Sequence, residues 1–171
     1  VSDSANHASL IDACRLSRAS VRVVPHGSVA GVEEALAGHE GRAVVVTDAV
    51  FSVDGSVADL VGMHEIARRH GALLLVDEAH GLGVVGPAGA GACALVGIDR
   101  EPDVVRTITL SKSLGSQGGA VLGPALLRDH HLPLPDAGST HIRMDVGAFR
   151  IRWELHTEFV TWSFSRAFDG A

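Results

Sequence analysis

The chain is organised around residues 107–119, which read Thr-Ile-Thr-Leu-Ser-Lys-Ser-Leu-Gly-Ser-Gln-Gly-Gly. This pattern predicts the end of a buried strand, followed by a polar turn and a glycine-rich loop. Lys112 lies at its centre and is the only lysine in the chain. An amine can form a Schiff base, whereas a guanidinium stays protonated and cannot. Lys112 is therefore a candidate nucleophile, and a solvated surface charge is the alternative.

The bulk composition predicts one domain of the α/β class. The chain has 171 residues, of which 46% are hydrophobic and 20 are glycines, enough for one core with many tight turns. A formal charge of -6 without a basic run argues against a nucleic-acid partner. Two cysteines without CxxC spacing argue against a disulfide framework or a metal site. Since no apolar stretch reaches membrane-spanning length and no signal peptide is recognisable, we expect a cytoplasmic protein with no membrane partner.

Helical and strand patterns alternate along the chain. Helices are predicted at 9–19, 28–37 and 59–70, capped by Ser9, Ser28 and Asp59. Strands are predicted at 21–24, 42–47, 72–76, 104–110 and 119–123, with a short helix at 124–130. This alternation predicts a mostly parallel sheet with helices on both faces.

Polar side chains follow three of the predicted strands. Asp48 follows the strand at 42–47, Asp77 follows the strand at 72–76, and Lys112 follows the strand at 104–110. Ligands of parallel sheets bind at the carboxyl ends of the strands, so we expect a site at this edge. An amine, a carboxylate that can hold a ring nitrogen protonated, and small or hydroxyl residues for a phosphate are what pyridoxal phosphate (PLP) requires. Taken singly, Asp77 could also be a loop carboxylate and His80 an ordinary loop histidine.

Two rival motifs are weaker. Residues 77–80 spell DEAH, a string found in helicase nucleotide sites, but the GxxxxGK[ST] loop that such a site needs is absent. Ten histidines suggest a metal site, but there is no HExxH motif, and His64 and His70 lie six positions apart, off a common helix face. We therefore expect no metal.

Four stretches carry a resemblance to a known family. They are residues 6–9 (NHAS), 47–55 (TDAVFSVDG), 74–83 (LLVDEAHGLG) and 109–119 (TLSKSLGSQGG). In this order they resemble the α-oxoamine synthases, which are PLP-dependent enzymes of fold type I. The resemblance covers residues 1–128 and implies the large domain of the PLP-dependent transferase fold, in incomplete form.

The resemblance implies roles for seven residues. Three would be catalytic: Lys112 would bind the cofactor as an imine and move the substrate α-proton, Asp77 would pair with the pyridine nitrogen, and His80 would bond the ring hydroxyl. Four more would bind the cofactor: His7 against the ring face, Ser52 at the ring hydroxyl, and Thr109 and Ser111 at the phosphate.

The resemblance also implies a reaction and its partners. The sequence of residues 111–119 favours the family member that acts in biotin synthesis. That enzyme joins alanine to a pimeloyl thioester, either of coenzyme A or of an acyl carrier protein, with decarboxylation. The alternatives are glycine C-acetyltransferase, 5-aminolevulinate synthase or aminotransferase chemistry, or a non-catalytic remnant. Family members are homodimers, and we expect small-molecule substrates here.

The last part of the chain departs from the family pattern. Both tryptophans and four of the five phenylalanines lie between residues 149 and 168, and residues 149–156 and 160–164 alternate apolar and polar, as in half-buried strands of a hairpin. We expect a partial PLP-binding large domain at 1–129 and an unassigned aromatic tail at 130–171. Family members are longer, so the chain is expected to be a fragment or a frame-altered relative.

Overall fold

The computed structural model describes residues 1–124 and the backbone of three strands at 143–146, 149–155 and 160–166. The chain divides into two units, Val1–Val121 and Leu122–Ala171. The domain boundary predicted at residue 129 and most of the helix predicted at 124–130 lie outside the described residues.

The first sheet has six strands in the order β2-β1-β3-β4-β5-β6. Their bounds are β1 (Ser2–Asp3), β2 (Val23–Val24), β3 (Val44–Asp48), β4 (Leu73–Asp77), β5 (Val104–Thr109) and β6 (Gly119–Leu122). The pairs β1–β2, β1–β3, β3–β4 and β4–β5 are all parallel, which confirms the predicted mostly parallel sheet. The sequence pattern missed β1 because two residues are too few to show an alternation.

Four α-helices connect these strands: α1 (Ala8–Leu16), α2 (Val29–Leu36), α3 (Leu60–Arg69) and α4 (Ala92–Leu95). The predicted caps of α2 and α3 are confirmed, because Ser28 Oγ accepts the Gly31 amide and Asp59 Oδ1 accepts the Gly62 amide, each at 2.9 Å. The cap predicted at Ser9 is wrong. His7 caps α1 instead, and its Nδ1 accepts the Ser9 amide.

One face of α3 packs into the core of this unit. Leu60, Met63, Ile66 and Ala67, spaced three and four residues apart, are all buried, which confirms the predicted apolar stripe. They share a cluster with inward-facing strand residues such as Leu74, which is fully buried. Among the described helices, none is long and apolar enough to cross a membrane.

The second unit contains an antiparallel sheet of three strands. They are β7 (Arg143–Val146), β8 (Phe149–Leu155) and β9 (Val160–Arg166), in the order β7-β8-β9. β8 and β9 coincide closely with the two alternating stretches and pair with Trp153 opposite Trp162.

Candidate functional site

A cleft of about 220 Å³ opens at the carboxyl ends of β3, β4 and β5. Its lining includes five of the seven residues singled out from the sequence, which are His7, Asp77, His80, Thr109 and Lys112. They converge because the parallel strands β3, β4 and β5 all end at this edge, and the segment after β1 reaches the same place.

The other two candidates are placed differently. Ser111 is outside the lining but adjoins it, since its hydroxyl lies 2.8 Å from the hydroxyl of Thr109. Ser52 is exposed and is not part of the lining. The structure therefore brings six of the seven residues together, and a role for Ser52 stays a prediction.

Asp77 ends β4 between two cleft-lining neighbours in strict register. Asp48 is its partner on β3 and Thr107 its partner on β5. One Asp77 carboxylate oxygen, Oδ1, accepts the Ala79 amide at 2.8 Å, which fixes the carboxylate at the start of the following turn. The Thr107 hydroxyl is buried and has no hydrogen-bond partner among the described residues. The cleft thus has a carboxylate at its floor, flanked by a second carboxylate and an unsatisfied hydroxyl.

Asp48 lines the cleft although the sequence assigned it no role. It is 4% exposed. Burial raises the pKa of the Asp48 carboxyl above its ordinary value, and the adjacent Asp77 carboxylate raises it further, against the hydrogen bond from the His7 amide. Its position directly after an apolar strand predicted that it would lie at this edge, and the cleft lining confirms that position.

The His7 backbone is anchored to the end of β3. Asp48 Oδ2 accepts the His7 amide at 2.7 Å. The buried Asn6 side chain accepts the Asp48 amide at 3.0 Å and donates to the Val46 carbonyl at 2.8 Å. The His7 ring in turn lies 2.8 Å from the Ser9 hydroxyl through Nδ1. His7 is therefore held at the cleft by bonds that connect the segment after β1 to β3.

Lys112 lies in a tight turn after β5. Its carbonyl accepts the Gly115 amide at 3.0 Å. The Leu110 carbonyl accepts the Ser116 amide at 2.8 Å, and the Leu110 amide donates to the Gly118 carbonyl at 3.0 Å. The Lys112 side chain is exposed at the cleft, and no hydrogen bond joins its amine to another described residue. The turn therefore presents an accessible amine close to the carboxylate floor.

A second polar cluster lies at the opposite, amino edge of the sheet. The ligand atoms of His64, Glu101 and Asp103 lie within 4.8 Å of one another, as in a metal site. However, the Arg68 guanidinium donates to both Asp103 and Glu101. Because the Arg68 guanidinium already bonds both carboxylates, the cluster is an ion-pair network that ties α3 to the start of β5.

A family comparison agrees with the fold and the cleft. Residues 1–138 match the family model for aminotransferase class I and II. Since this match covers most of the chain, the protein belongs to that family.

The comparison with individual curated proteins is more specific than the family match. The chain is 63% identical over 131 residues to an 8-amino-7-oxononanoate synthase of Mycobacterium sp. (strain KMS), which covers 76% of this chain and 34% of the relative. The chain thus spans about a third of the length of the curated relatives it matches.

Solved structures give the same picture. A serine palmitoyltransferase from S. paucimobilis, solved with a bound PLP–myriocin aldimine, has a TM-score of 0.65 at 36% identity, covering 70% of this chain and 30% of that one. An 8-amino-7-oxononanoate synthase from Francisella tularensis has a TM-score of 0.65 at 29% identity, covering 75% and 36%. Both structures are similar to this chain in sequence as well as in backbone, so the six-stranded sheet is that of the PLP-dependent transferases.

Proposed function

We propose that this chain carries the cofactor-binding part of an 8-amino-7-oxononanoate synthase, a PLP-dependent enzyme that condenses alanine with a pimeloyl thioester and releases carbon dioxide. The observation that supports this most directly is the placement of the sole lysine, Lys112, in one cleft with Asp77. The relative at 63% identity supports the choice of reaction. Cytoplasmic location and assembly as a homodimer are parts of the same proposal.

The residues of the cleft fit PLP chemically. The lining offers one amine, two carboxylates, two imidazoles and hydroxyls, and at about 220 Å³ it is smaller than the roughly 300–1,000 Å³ of a drug-sized pocket. A cleft of that size suits one substituted ring. The buried Thr107 hydroxyl, unpartnered among the described residues, is a further sign that the cleft floor is built to meet a polar group. When bound, PLP would supply an electron sink for the carbanion at the substrate α-carbon.

The side chains of the cleft would each have one task. Lys112 would hold the cofactor covalently through its Nζ and later move the substrate α-proton. Asp77 would accept a hydrogen bond from the protonated ring nitrogen, and its anchoring by the Ala79 amide pre-orients it for this. His80 would bond the ring hydroxyl, and His7 would lie against the ring face. Ser52, which lies outside the cleft lining, is proposed as a second partner of the ring hydroxyl.

Thr109 and Ser111 are proposed to bind the phosphate. Their hydroxyls lie 2.8 Å apart, and the Ser111 amide donates to Thr109 Oγ1 at 3.3 Å. This arrangement presents two adjacent hydroxyls at the end of β5, and a phosphate oxygen accepts hydrogen bonds from groups of this kind.

Borohydride reduction tests the cofactor site directly. The purified chain is mixed with PLP, its visible spectrum is recorded, and the complex is reduced and mapped by peptide mass. Lys112 and the amino terminus are the only amines present, so the map has two possible answers. We expect the adduct on Lys112 and none in Lys112→Ala; label on the amino terminus alone would contradict the proposal.

A second assay tests the reaction. The reconstituted chain is given alanine with pimeloyl thioester, glycine with acetyl thioester, or an amino acid with a keto acid. Carbon dioxide release only with the first pair is the expected result. Turnover of either other pair would replace the proposed reaction with glycine C-acetyltransferase or aminotransferase chemistry. An adduct on Lys112 without turnover of any pair would show that this chain binds the cofactor and catalyses none of the three reactions by itself.

A further inference from the structure

Two loops of the candidate site touch at a point where there is no room for another atom. The first, which we name the glycine loop, comprises residues 81–91 after β4, and the second, the lysine turn, comprises residues 111–115 after β5. A Cβ placed on Gly83 would lie 2.6 Å from both Cβ and Oγ of Ser113. Real Cβ atoms essentially never approach other atoms to within 3.0 Å. Ser113 directly follows Lys112, so the glycine loop packs against the side chain of the residue next to the one that carries the amine.

The far end of the glycine loop is anchored by a buried carboxylate. Glu78, only 1% exposed, accepts the Ala92 amide at 2.9 Å and the Cys93 amide at 2.8 Å. A Cβ on Gly91 would lie 2.7 Å from Glu78 Oε1. Because both carboxylate oxygens are used and the glycine closes over them, the end of the loop has a single position relative to the end of β4.

Backbone contacts carry this constraint across the loop. The Gly91 amide donates to the Val85 carbonyl at 2.9 Å, and the Gly83 amide donates to the Gly89 carbonyl at 2.7 Å. A Cβ on Gly89 would lie 2.9 Å from the Cα of Gly83. The loop is thus closed on itself between its anchor at Glu78 and its contact at Ser113.

We propose that the glycine loop is a positioning element for Lys112, with Gly83 as its point of contact and Glu78 as its anchor. The lysine turn is held from the strand side by its own backbone bonds, and Gly83 supplies the restraint on the other side. The Lys112 amine has no hydrogen bond to any described side chain, so the backbone of Lys112 is the part that the structure holds, and it sets the point from which the side chain reaches the cleft. The inference rests on the proposed function, because that function gives Lys112 its role. The contact between Gly83 and Ser113 does not depend on it.

The test compares two alanine substitutions that differ in one contact. Gly83 has φ +79° and meets Ser113, whereas Gly97 has φ +76° and no neighbour within 4 Å of an added Cβ. Gly83→Ala and Gly97→Ala therefore carry the same backbone strain, and only the first displaces the lysine turn. A difference between them isolates the contact from general destabilisation.

Two readouts report on Lys112. Reductive methylation with ¹³C-formaldehyde labels only Lys112 and the amino terminus, so the dimethyl-lysine resonance and its titration follow this amine without any cofactor. The rate of formation of the borohydride-reducible PLP adduct follows its reactivity. We expect Gly83→Ala to move the resonance and slow adduct formation on the order of tenfold to a hundredfold, as small misplacements of reacting groups do. Gly97→Ala should leave both at the wild-type values.

A compensating substitution completes the test. Ser113→Gly removes both atoms that the new Cβ would meet, so Gly83→Ala with Ser113→Gly should regain the resonance and rate of Ser113→Gly alone. If Gly83→Ala does not fold, Ser113→Val probes the same contact from the other side and should shift the same resonance. Equal behaviour of Gly83→Ala and Gly97→Ala, or no recovery in the double variant, overturns the inference. A wild-type chain without an adduct on Lys112 overturns the proposed function instead, and the methyl resonance still decides the contact.

Discussion

At the amino ends of β4 and β5, Asp103 accepts hydrogen bonds from His64 and Arg68. At the carboxyl ends of β3 and β4, in contrast, Asp48 and Asp77 stand next to each other in register. Burial alone would raise the pKa of the Asp103 carboxyl, but the bonds from Arg68 and His64 outweigh it and bring the pKa to about 2. Burial raises the pKa of Asp48, and the neighbouring Asp77 carboxylate adds to this. The same residue type is thus stabilised as an anion at one edge and destabilised at the other.

The difference separates a structural cluster from a candidate site. At the amino edge every carboxylate of the cluster has a cationic partner, so little is left to bind a ligand. At the carboxyl edge two carboxylates and the Lys112 amine line an open cleft, and no ion pair joins them among the described residues. Uncompensated charge at a concave edge is what a ligand can complete, and such groups concentrate at functional sites.

The largest expected effect on stability comes from Glu78, the one fully satisfied carboxylate at the carboxyl edge. Glu78→Ala leaves two buried amides without an acceptor and should lower the free energy of unfolding by about 3 kcal/mol. Glu78→Gln keeps the volume and one accepting oxygen, so its loss should be smaller. Urea unfolding measures both, with the exposed Glu34→Ala as control. Equal, small losses in all three would show that the loop anchor is not formed.

Asp103→Asn at the amino edge should cost up to about 2 kcal/mol, because the pKa of this carboxyl lies about two units below its ordinary value of 3.8. A lowered folded-state pKa stabilises the fold above the unfolded-state pKa. This stabilisation should be lost as pH falls from about 4 through about 2. The free energy of unfolding, measured over that pH range, should fall more steeply with falling pH for the wild type than for the variant. Equal slopes would contradict the assignment.

Asp48→Asn should have a smaller effect of the opposite sign. The pKa of Asp48 is raised in the folded state, so its contribution to stability is present below the ordinary value and is lost as pH rises through the folded-state pKa. An asparagine can still accept the His7 amide without the charge. The variant should therefore gain stability at neutral pH and none in acid, as measured by urea unfolding at both pH values. A loss at neutral pH would mean that Asp48 has a partner that the cleft does not show.

Lys112→Ala should change the free energy of unfolding least, by less than about 0.5 kcal/mol, because the side chain is exposed and makes no hydrogen bond to a described residue. The same change should abolish the reducible PLP adduct. Loss of the adduct at unchanged stability is the signature that separates a functional edge from a structural one. A large loss of stability in thermal unfolding would instead assign Lys112 to the fold.

Much of the first unit could be predicted from local patterns. The caps Ser28 and Asp59, and the α3 stripe, depend on neighbours within four residues, and the structure confirms them. The α1 cap was misplaced because Ser9 fits the rule equally well, and only the position of His7 against β3 makes it the acceptor. α4 was missed because four residues show no helical period, and its first amides are bound by Glu78 from another segment.

The candidate site, like the fold, could be predicted from the sequence in part, and the rest was decided by tertiary structure. Lys112 could be singled out from the sequence as the sole lysine, shortly after an apolar strand, and Asp77 because it ends another apolar run. Parallel strands bring their carboxyl ends to one edge. Residue type and strand position were therefore enough to predict which chemistry the edge could support. The raised pKa of Asp48, the exposed position of Ser52 and the contact of Gly83 with Ser113 were decided by tertiary structure alone. Each depends on the distance between segments remote in sequence, and burial and close packing act across that distance rather than along the chain.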